Sequence, residues 1–134
     1  MEAGPSYLNS PKHPEPPAGK NMNKVNIGNT EHYTWGANGK GWHLLQDDTL
    51  SIIEEKLGAG GSEKRHIHHR AQQFFYVLAG TALIEIDGRE HEIGPGSGIH
   101  VPPGVPHRLQ NRSEHELHFL VISTPHSHGD RTEL

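Results

Sequence analysis

The segment HIHHRAQQFFYVLAGTALIEIDGREHEI, residues 66–93, decides the fold. Strand-forming apolar residues lie on both sides of two turn signals, Ala79-Gly80 and Asp87-Gly88. An Asp-Gly pair between alternating apolar and polar residues is a strong signal for a β-hairpin. The segment therefore predicts three consecutive strands joined by turns. The predicted core positions within it are Phe75, Val77, Ile84 and Ile86.

Further short strands are predicted on both sides of this segment. TLSIIEEKL (49–57) is β-branched at its centre, SGIHVPP (97–103) is stopped by two prolines, and ELHFLVIS (116–123) is rich in strand-forming apolar residues. Turn signals recur roughly every 8 to 12 residues, which is typical of an all-β sandwich or barrel. No segment has a convincing helical period.

Composition narrows the possible functions. A chain of 134 residues has room for one hydrophobic core. The net charge of −4 comes without a basic cluster, so no nucleic-acid partner is expected. The chain has no cysteine and no apolar run long enough for a membrane span or signal peptide, so we expect a soluble, cytoplasmic protein. Thirteen histidines without cysteine hint at a metal bound through nitrogen and oxygen.

Four segments are expected along the chain. Residues 1–21 hold half of the prolines, so we predict a disordered leader, which could be non-native if Met22 is the natural start. The last segment offers a second His-x-His pair, His126 and His128, but no strand pattern to hold it, so it is interpreted as a loose tail. The other predicted segments are an N-terminal arm with edge strands (22–48), a barrel (49–125) and this tail (126–134).

The histidine cluster is the first candidate site. In a strand, residues two apart share a face, so His66 and His68 point together while His69 points the other way. Two imidazoles on one face can converge on a cation, although most such pairs are solvated or structural. Gln73 lies in register with the predicted core positions and could enter the same interior. A distant histidine, His107, follows a tight proline turn and sharpens the signal.

Two spaced motifs resemble those of the cupin family. The first is G-x5-H-x-H-x4-Q-x6-G, formed by Gly60, His66, His68, Gln73 and Gly80. The second is G-x5-P-x-G-x2-H-x3-N, formed by Gly96, Pro102, Gly104, His107 and Asn111. The resemblance covers roughly residues 49–123. It implies a double-stranded β-helix, or jelly-roll barrel, that is commonly a homodimer.

The resemblance also implies a divalent metal centre. In the family, two histidines and an acidic residue of the first motif, with the histidine of the second, bind the ion; carried over, these ligands are His66, His68, Gln73 and His107. Gln73 stands where the family usually has Glu. A neutral amide leaves the ion's charge uncompensated, so we expect weaker binding, stronger Lewis acidity and a less accessible higher oxidation state. These ligands suit Zn, Mn, Fe or Ni.

Several functions are compatible with these residues. The preferred one is a metal-dependent enzyme that uses Lewis-acid or water-activation chemistry on a small carbonyl-bearing or oxygen-rich molecule, as an isomerase, lyase, cyclase or hydrolase. A dioxygenase is a second possibility, because an anionic enolate substrate could supply the missing charge. Two roles without catalysis are a module that binds a sugar or other metabolite and a structural oligomer with a relic site. Similar small cupins are often described as mannose-6-phosphate isomerase-like, which is a further pointer from the resemblance.

Several more polar and aromatic residues are secondary candidates. The candidate catalytic residues are Glu54, Glu55 and His100. One of the two glutamates must face inward as a possible general acid or base, and His100 could contact a substrate or be a wall residue. Arg108 could orient an anionic substrate, although alternation favours the opposite face. An aromatic group could line the barrel mouth or serve as edge packing or a dimer contact; it comprises Tyr33, Trp35, Trp42 and His43.

Overall fold

The computed structural model describes residues 23–127 and 129–134, which form eleven β-strands. The strands are β1 (His32–Trp35), β2 (Gly39–Gln46), β3 (Ser51–Leu57), β4 (His66–His68), β5 (Gln72–Ala79), β6 (Ala82–Ile86), β7 (Arg89–Ile93), β8 (Gly98–Val101), β9 (His107–Gln110), β10 (Leu117–Thr124) and β11 (Arg131–Glu133). These ranges contain no helix, so none that could cross a membrane, and the all-β prediction is confirmed. The predicted leader (1–21), Met22 and His128 lie outside the described residues.

The strands form two antiparallel sheets. One sheet has the order β1-β2-β3-β10-β5-β8 and the other the order β11-β4-β9-β6-β7. Strands that are far apart in the chain are neighbours in space, as β3 is to β10 and β4 is to β9. This arrangement, with both sheets contributing to one interior, confirms the predicted double-stranded β-helix or jelly-roll barrel.

The predicted turns join the central strands. Asp87 and Gly88 link β6 to β7 with φ values of 51° and 85°, as a two-residue hairpin with positive φ at both positions requires. Gly80 lies between β5 and β6 with φ 81°. Both turns therefore lie where the sequence predicts them.

Inward-facing apolar side chains of both sheets form one core. Of the predicted core residues, Phe75, Val77 and Ile84 are buried, and Ile86 packs against the core from a partly buried position. Burying a side chain of this size contributes about 1.5–3 kcal/mol. The core comprises Leu57, Phe75, Val77, Ala82, Ile84, Ile93, Val101, Leu109, Leu117, Phe119 and Val121.

The interior changes from apolar to polar along the strands. On β5, buried Gln73 precedes buried Phe75 and Val77 on the same face. On the neighbouring β10, Ser123 pairs in register with Gln73 and is also buried. Buried polar side chains therefore lie together at one end of the barrel, and this end contains the candidate site.

The C-terminal segment differs from the loose tail expected from the sequence. Arg131–Glu133 form β11, which pairs with β4 so that Arg131 lies opposite His68. The buried carboxylate of Asp130 accepts hydrogen bonds from the backbone N–H groups of Arg70 and Ala71, at 2.9 Å each. All three residues of β11 are exposed and polar, so the strand lacks the alternation that would have revealed it.

Replacing Gly80 by Ala should destabilise the barrel more than the same change at Gly88. Both residues have positive φ, which costs a non-glycine residue about 1 kcal/mol. A Cβ at Gly80 would lie 2.7 Å from the carbonyl oxygen of Glu116, whereas a Cβ at Gly88 meets nothing within 4 Å. Urea unfolding should therefore show an additional loss of roughly 1–3 kcal/mol in Gly80→Ala. Equal losses in the two variants would contradict this packing.

Candidate metal centre

Three buried histidines converge at the polar end of the barrel. His66 and His68 project from β4, and His107 projects from the adjacent β9, where it pairs in register with His66. The ring centroids of His66 and His107 are 4.3 Å apart. The ring centroid of His68 lies 5.0 Å from that of His66 and 5.7 Å from that of His107. One nitrogen from each ring lies within 4.8 Å of the others, so the three can hold one metal ion.

Backbone contacts orient two of these imidazoles. Nδ1 of His66 donates to the carbonyl oxygen of Lys64 at 2.6 Å, and Nδ1 of His107 donates to that of Val105 at 2.9 Å. The Nε2 atoms of both rings therefore carry the lone pairs. Nδ1 of His68 is buried without a hydrogen-bond partner, which is unusual for a polar atom in an ordinary packed interior.

The environment keeps all three imidazoles neutral. Burial lowers the pKa of His66 to about 3 and that of His68 to about 4, and it also lowers the pKa of His107. At neutral pH the rings therefore offer lone pairs without competition from protons.

Gln73 places an amide oxygen beside the histidines. Its Oε1 lies 3.1 Å from Nε2 of His107, and its Nε2 donates to Oγ of Ser123 at 3.1 Å. Because His107 donates from Nδ1, two acceptor atoms face each other across this contact. A cation that accepts both lone pairs resolves the conflict, and without a cation the amide can turn over because the Ser123 hydroxyl can also donate.

Acidic side chains lie in the same cavity as the histidines. The cavity has a volume of about 290 Å³, and Glu55, Glu63, Tyr33 and Arg131 line it together with His66, His68 and Gln73. The Tyr33 hydroxyl donates to Oε2 of Glu55 at 2.9 Å, and Oε1 of Glu63 accepts from the backbone N–H of Leu109 at 3.0 Å. Burial, helped by the charge of Glu63, raises the pKa of Glu55 to about 8, and burial raises that of Glu63 to about 7. Glu55 therefore holds its proton near neutral pH.

The remaining polar candidates lie outside this cavity. Glu54 points to the opposite face of β3, where its Oε2 lies 2.5 Å from Nε2 of His118. His100 is exposed and contacts Oε1 of Gln72 at 2.8 Å. Arg108 pairs on the outside with Glu85 at 3.5 Å, as alternation predicts. Of the two glutamates, Glu55 is therefore the one that lines the cavity.

The aromatic group is divided between two cavities and the surface. Tyr33 and Trp35 line the inner cavity, whereas Trp42 lies beneath the ammonium group of Lys56 at 5.6 Å. His43 stacks against Tyr33 and lines an adjoining outer cavity of about 570 Å³. His126 also lines that outer cavity, away from the three buried histidines.

Two charged residues of the cavity escaped the sequence analysis. Glu63 lies in the loop before β4, where no strand pattern gives its direction, and Arg131 lies in the segment interpreted as a tail. The available signal for Glu63 was its position inside the first motif, three residues after Gly60. No local pattern pointed to Arg131, because its location follows from pairing with a strand some sixty residues away.

Comparison with known proteins identifies the family. The model of the Cupin_2 family, described as a cupin domain, matches residues 53–123, which is more than half of the chain. The chain therefore belongs to the cupin family. This finding agrees with the two motifs and with the observed barrel.

One curated relative and two solved structures illustrate the similarity. An uncharacterised protein of Methanocaldococcus jannaschii is 31% identical over 81 residues, which cover 60% of this chain and 65% of the relative, so the chain spans less than two thirds of it. KdgF from Halomonas sp. superposes with a TM-score of 0.73 at 17% identity, covering 79% of this chain and 96% of KdgF. The polyketide cyclase RemF from Streptomyces resistomycificus has a TM-score of 0.72 at 22% identity, covering 84% and 85%. At these identities the two structures show the fold alone.

Metal-free protein should become less stable relative to Glu55→Gln as the pH rises. The folded-state pKa of Glu55, about 8, exceeds its ordinary value of 4.5. Its stabilising contribution is therefore complete below about pH 4.5 and is lost as the pH rises towards 8. Thermal melts in chelator should show the Tm of Glu55→Gln exceeding that of the wild type by about 3 °C or more at pH 8, with a smaller difference at pH 5.

The matched control is Glu92→Gln, which removes an exposed carboxylate on β7. Its Tm should follow the wild type across the same range. A pH-independent difference between Glu55→Gln and the wild type would contradict a half-buried Glu55 that is protonated near neutral pH.

Proposed function

We propose that this cupin is a divalent-metal-dependent enzyme that acts on a small carbonyl-bearing or oxygen-rich molecule. The single observation that carries the proposal is the convergence of three buried imidazoles, those of His66, His68 and His107, whose nitrogens lie within 4.8 Å of one another. With Oε1 of Gln73, which lies 3.1 Å from Nε2 of His107, they form a set of four neutral donors. Such a set fits Zn, Mn, Fe or Ni.

The donor set favours a particular kind of metal chemistry. A divalent ion bound by four uncharged ligands would act chiefly as a Lewis acid, by polarising a carbonyl group or acidifying a bound water. Isomerase, lyase, cyclase and hydrolase reactions depend on this chemistry.

The chain supplies its own proton donor beside the donor set. Glu55 holds a proton near neutral pH, and the hydrogen bond from Tyr33 fixes the orientation of its carboxyl group. A carboxyl group with a pKa near the working pH can deliver a proton to a substrate oxygen or carbon and take one back. We assign Glu55 as the general acid and base, with Tyr33 as the residue that positions it.

The size of the cavity and the family support a small ligand. About 290 Å³ lies at the lower end of the range for small-molecule sites. Solved cupin structures of the same fold include a sugar phosphate isomerase from Silicibacter pomeroyi and the cyclase RemF, each below 25% identity. The isomerase and the cyclase are examples of the class of reaction proposed for this chain.

Metal titration of protein stripped with chelator tests the proposal. Wild-type protein should bind one equivalent of Zn²⁺, Mn²⁺, Fe²⁺ or Ni²⁺ per chain. His68→Ala should weaken binding by more than the roughly 10- to 100-fold that loss of an outer partner costs. His69→Ala is the matched control, because His69 points outward to Thr132 and should leave affinity unchanged. A wild type that binds none of these ions would refute the proposal.

Substitution of Gln73 tests the fourth ligand. Gln73→Glu adds an anion next to the ion, and the charge–charge energy of a few kcal/mol should tighten binding at least about tenfold. Gln73→Leu removes the oxygen and should weaken binding. The control is Gln72→Leu, an exposed neighbour bonded to His100 on the outer face. Equal affinities in all four proteins would leave a site of three histidines.

A further inference from the structure

We propose that Arg131 binds the carboxylate of a small organic-acid substrate in the barrel, so that the substrate supplies the negative charge that Gln73 does not. This inference rests on the proposed function and specifies its substrate class. It assigns a substrate-binding role to the C-terminal strand β11.

The location of Arg131 is set by contacts on both sides of it. It pairs in register with His68, and the preceding Asp130 is tied to the backbone of Arg70 and Ala71. At the other end of β11, the backbone N–H of Leu134 donates to the carbonyl oxygen of Arg65 at 2.9 Å. The guanidinium group is therefore held at the cavity wall, next to the candidate ligands.

The charge of Arg131 is only partly compensated by nearby carboxyl groups. Among the side chains that line the inner cavity in the described part of the chain, it alone is a lysine or arginine. Within the described ranges, the carboxylate at ion-pair distance is that of Glu133, at 3.5 Å and 53% exposed, where solvent weakens the interaction. Its side chain remains 36% exposed, so a ligand in the cavity can reach it.

The charges of the site favour an anion. Four neutral donors leave a bound dication uncompensated, and Arg131 adds a further positive charge. Burial raises the pKa of Glu55 to about 8 and that of Glu63 to about 7, although the charge of Arg131 lowers both, so at neutral pH the two carboxyl groups offset part of this positive charge. An anionic substrate therefore gains from both cationic centres at once.

One guanidinium group matches a carboxylate better than a phosphate ester. Its planar donors fit the two oxygens of a carboxylate, and one positive charge balances one negative charge. A phosphate ester carries close to two negative charges, whereas Arg131 is the single lysine or arginine that lines the cavity in the described part of the chain. A small acid with a carbonyl group next to its carboxylate also fits the volume of about 290 Å³.

Calorimetric titrations with pyruvate, pyruvamide and inorganic phosphate test the assignment. Pyruvate has the carboxylate, pyruvamide has nearly the same shape without the charge, and phosphate represents the other oxyanion source. The proteins are Zn²⁺-loaded wild type, Arg131→Met, Arg131→Lys and, as control, Arg108→Met, which loses an arginine paired on the outer face. The Zn²⁺ affinity of each protein is measured separately without any anion.

Arg131→Met should lower the affinity for pyruvate without lowering the affinity for Zn²⁺. Arg131→Met should weaken pyruvate binding roughly 10- to 100-fold, as for loss of a hydrogen-bonded charge. Its Zn²⁺ affinity should stay equal or rise, because a neighbouring positive charge has been removed. Arg131→Lys should lie between it and the wild type, and Arg108→Met should match the wild type. Pyruvamide should bind weakly to all four proteins.

Four results would overturn the assignment. In the first, Arg131→Met binds pyruvate like the wild type. In the second, no probe binds the Zn²⁺-loaded wild type. In the third, Arg131→Met loses Zn²⁺ and pyruvate together, which indicates a structural role. In the fourth, phosphate binds more tightly than pyruvate. Failure of the wild type to bind Zn²⁺ at all would instead refute the proposed function, so the two failures are distinguishable.

Discussion

The pairing of His66 with His107 across β4 and β9 is the contact on which the candidate site depends. It is the register pair between these two strands, and it brings the rings to 4.3 Å. A shift of one residue would turn His66 and His68 to the outer face, since side chains alternate along a strand. The pairing of β4 with β11 on its other edge holds this register and also brings Arg131 to the cavity.

Gln73 is uncharged, so the four candidate ligands together carry no negative charge. The ring nitrogens and the amide oxygen contribute no charge, while burial keeps the proton on Glu55. Desolvation therefore has two effects in this cavity. It keeps the imidazoles neutral, so that their lone pairs can bind a cation, and it keeps Glu55 protonated, so that it can act as an acid. On the proposed function, a metal held by these four neutral donors would be electron-poor, and an anionic substrate would compensate its charge.

Local patterns predicted much of the barrel and the donor set. The alternation around Phe75 and the Asp87-Gly88 pair predicted the central strands and the turn between them. The two motifs predicted which residues lie together at the polar end of the barrel. The sequence could not choose between Glu54 and Glu55, because Ile52 and Ile53 give no alternation from which to read the register. Arg131 could not be found at all, because long-range pairing of an exposed, polar strand decides its position.

An anomalous difference map from crystals soaked in Zn²⁺, recorded at the zinc absorption edge, is the direct test of the proposed metal centre. One strong peak is expected inside the barrel, in bonding contact with His66, His68 and His107 and with Oε1 of Gln73, whose Nε2 then faces Ser123. A barrel without a peak would contradict the metal centre. A peak held by the histidines alone, with Oε1 of Gln73 turned to Ser123, would contradict the fourth ligand.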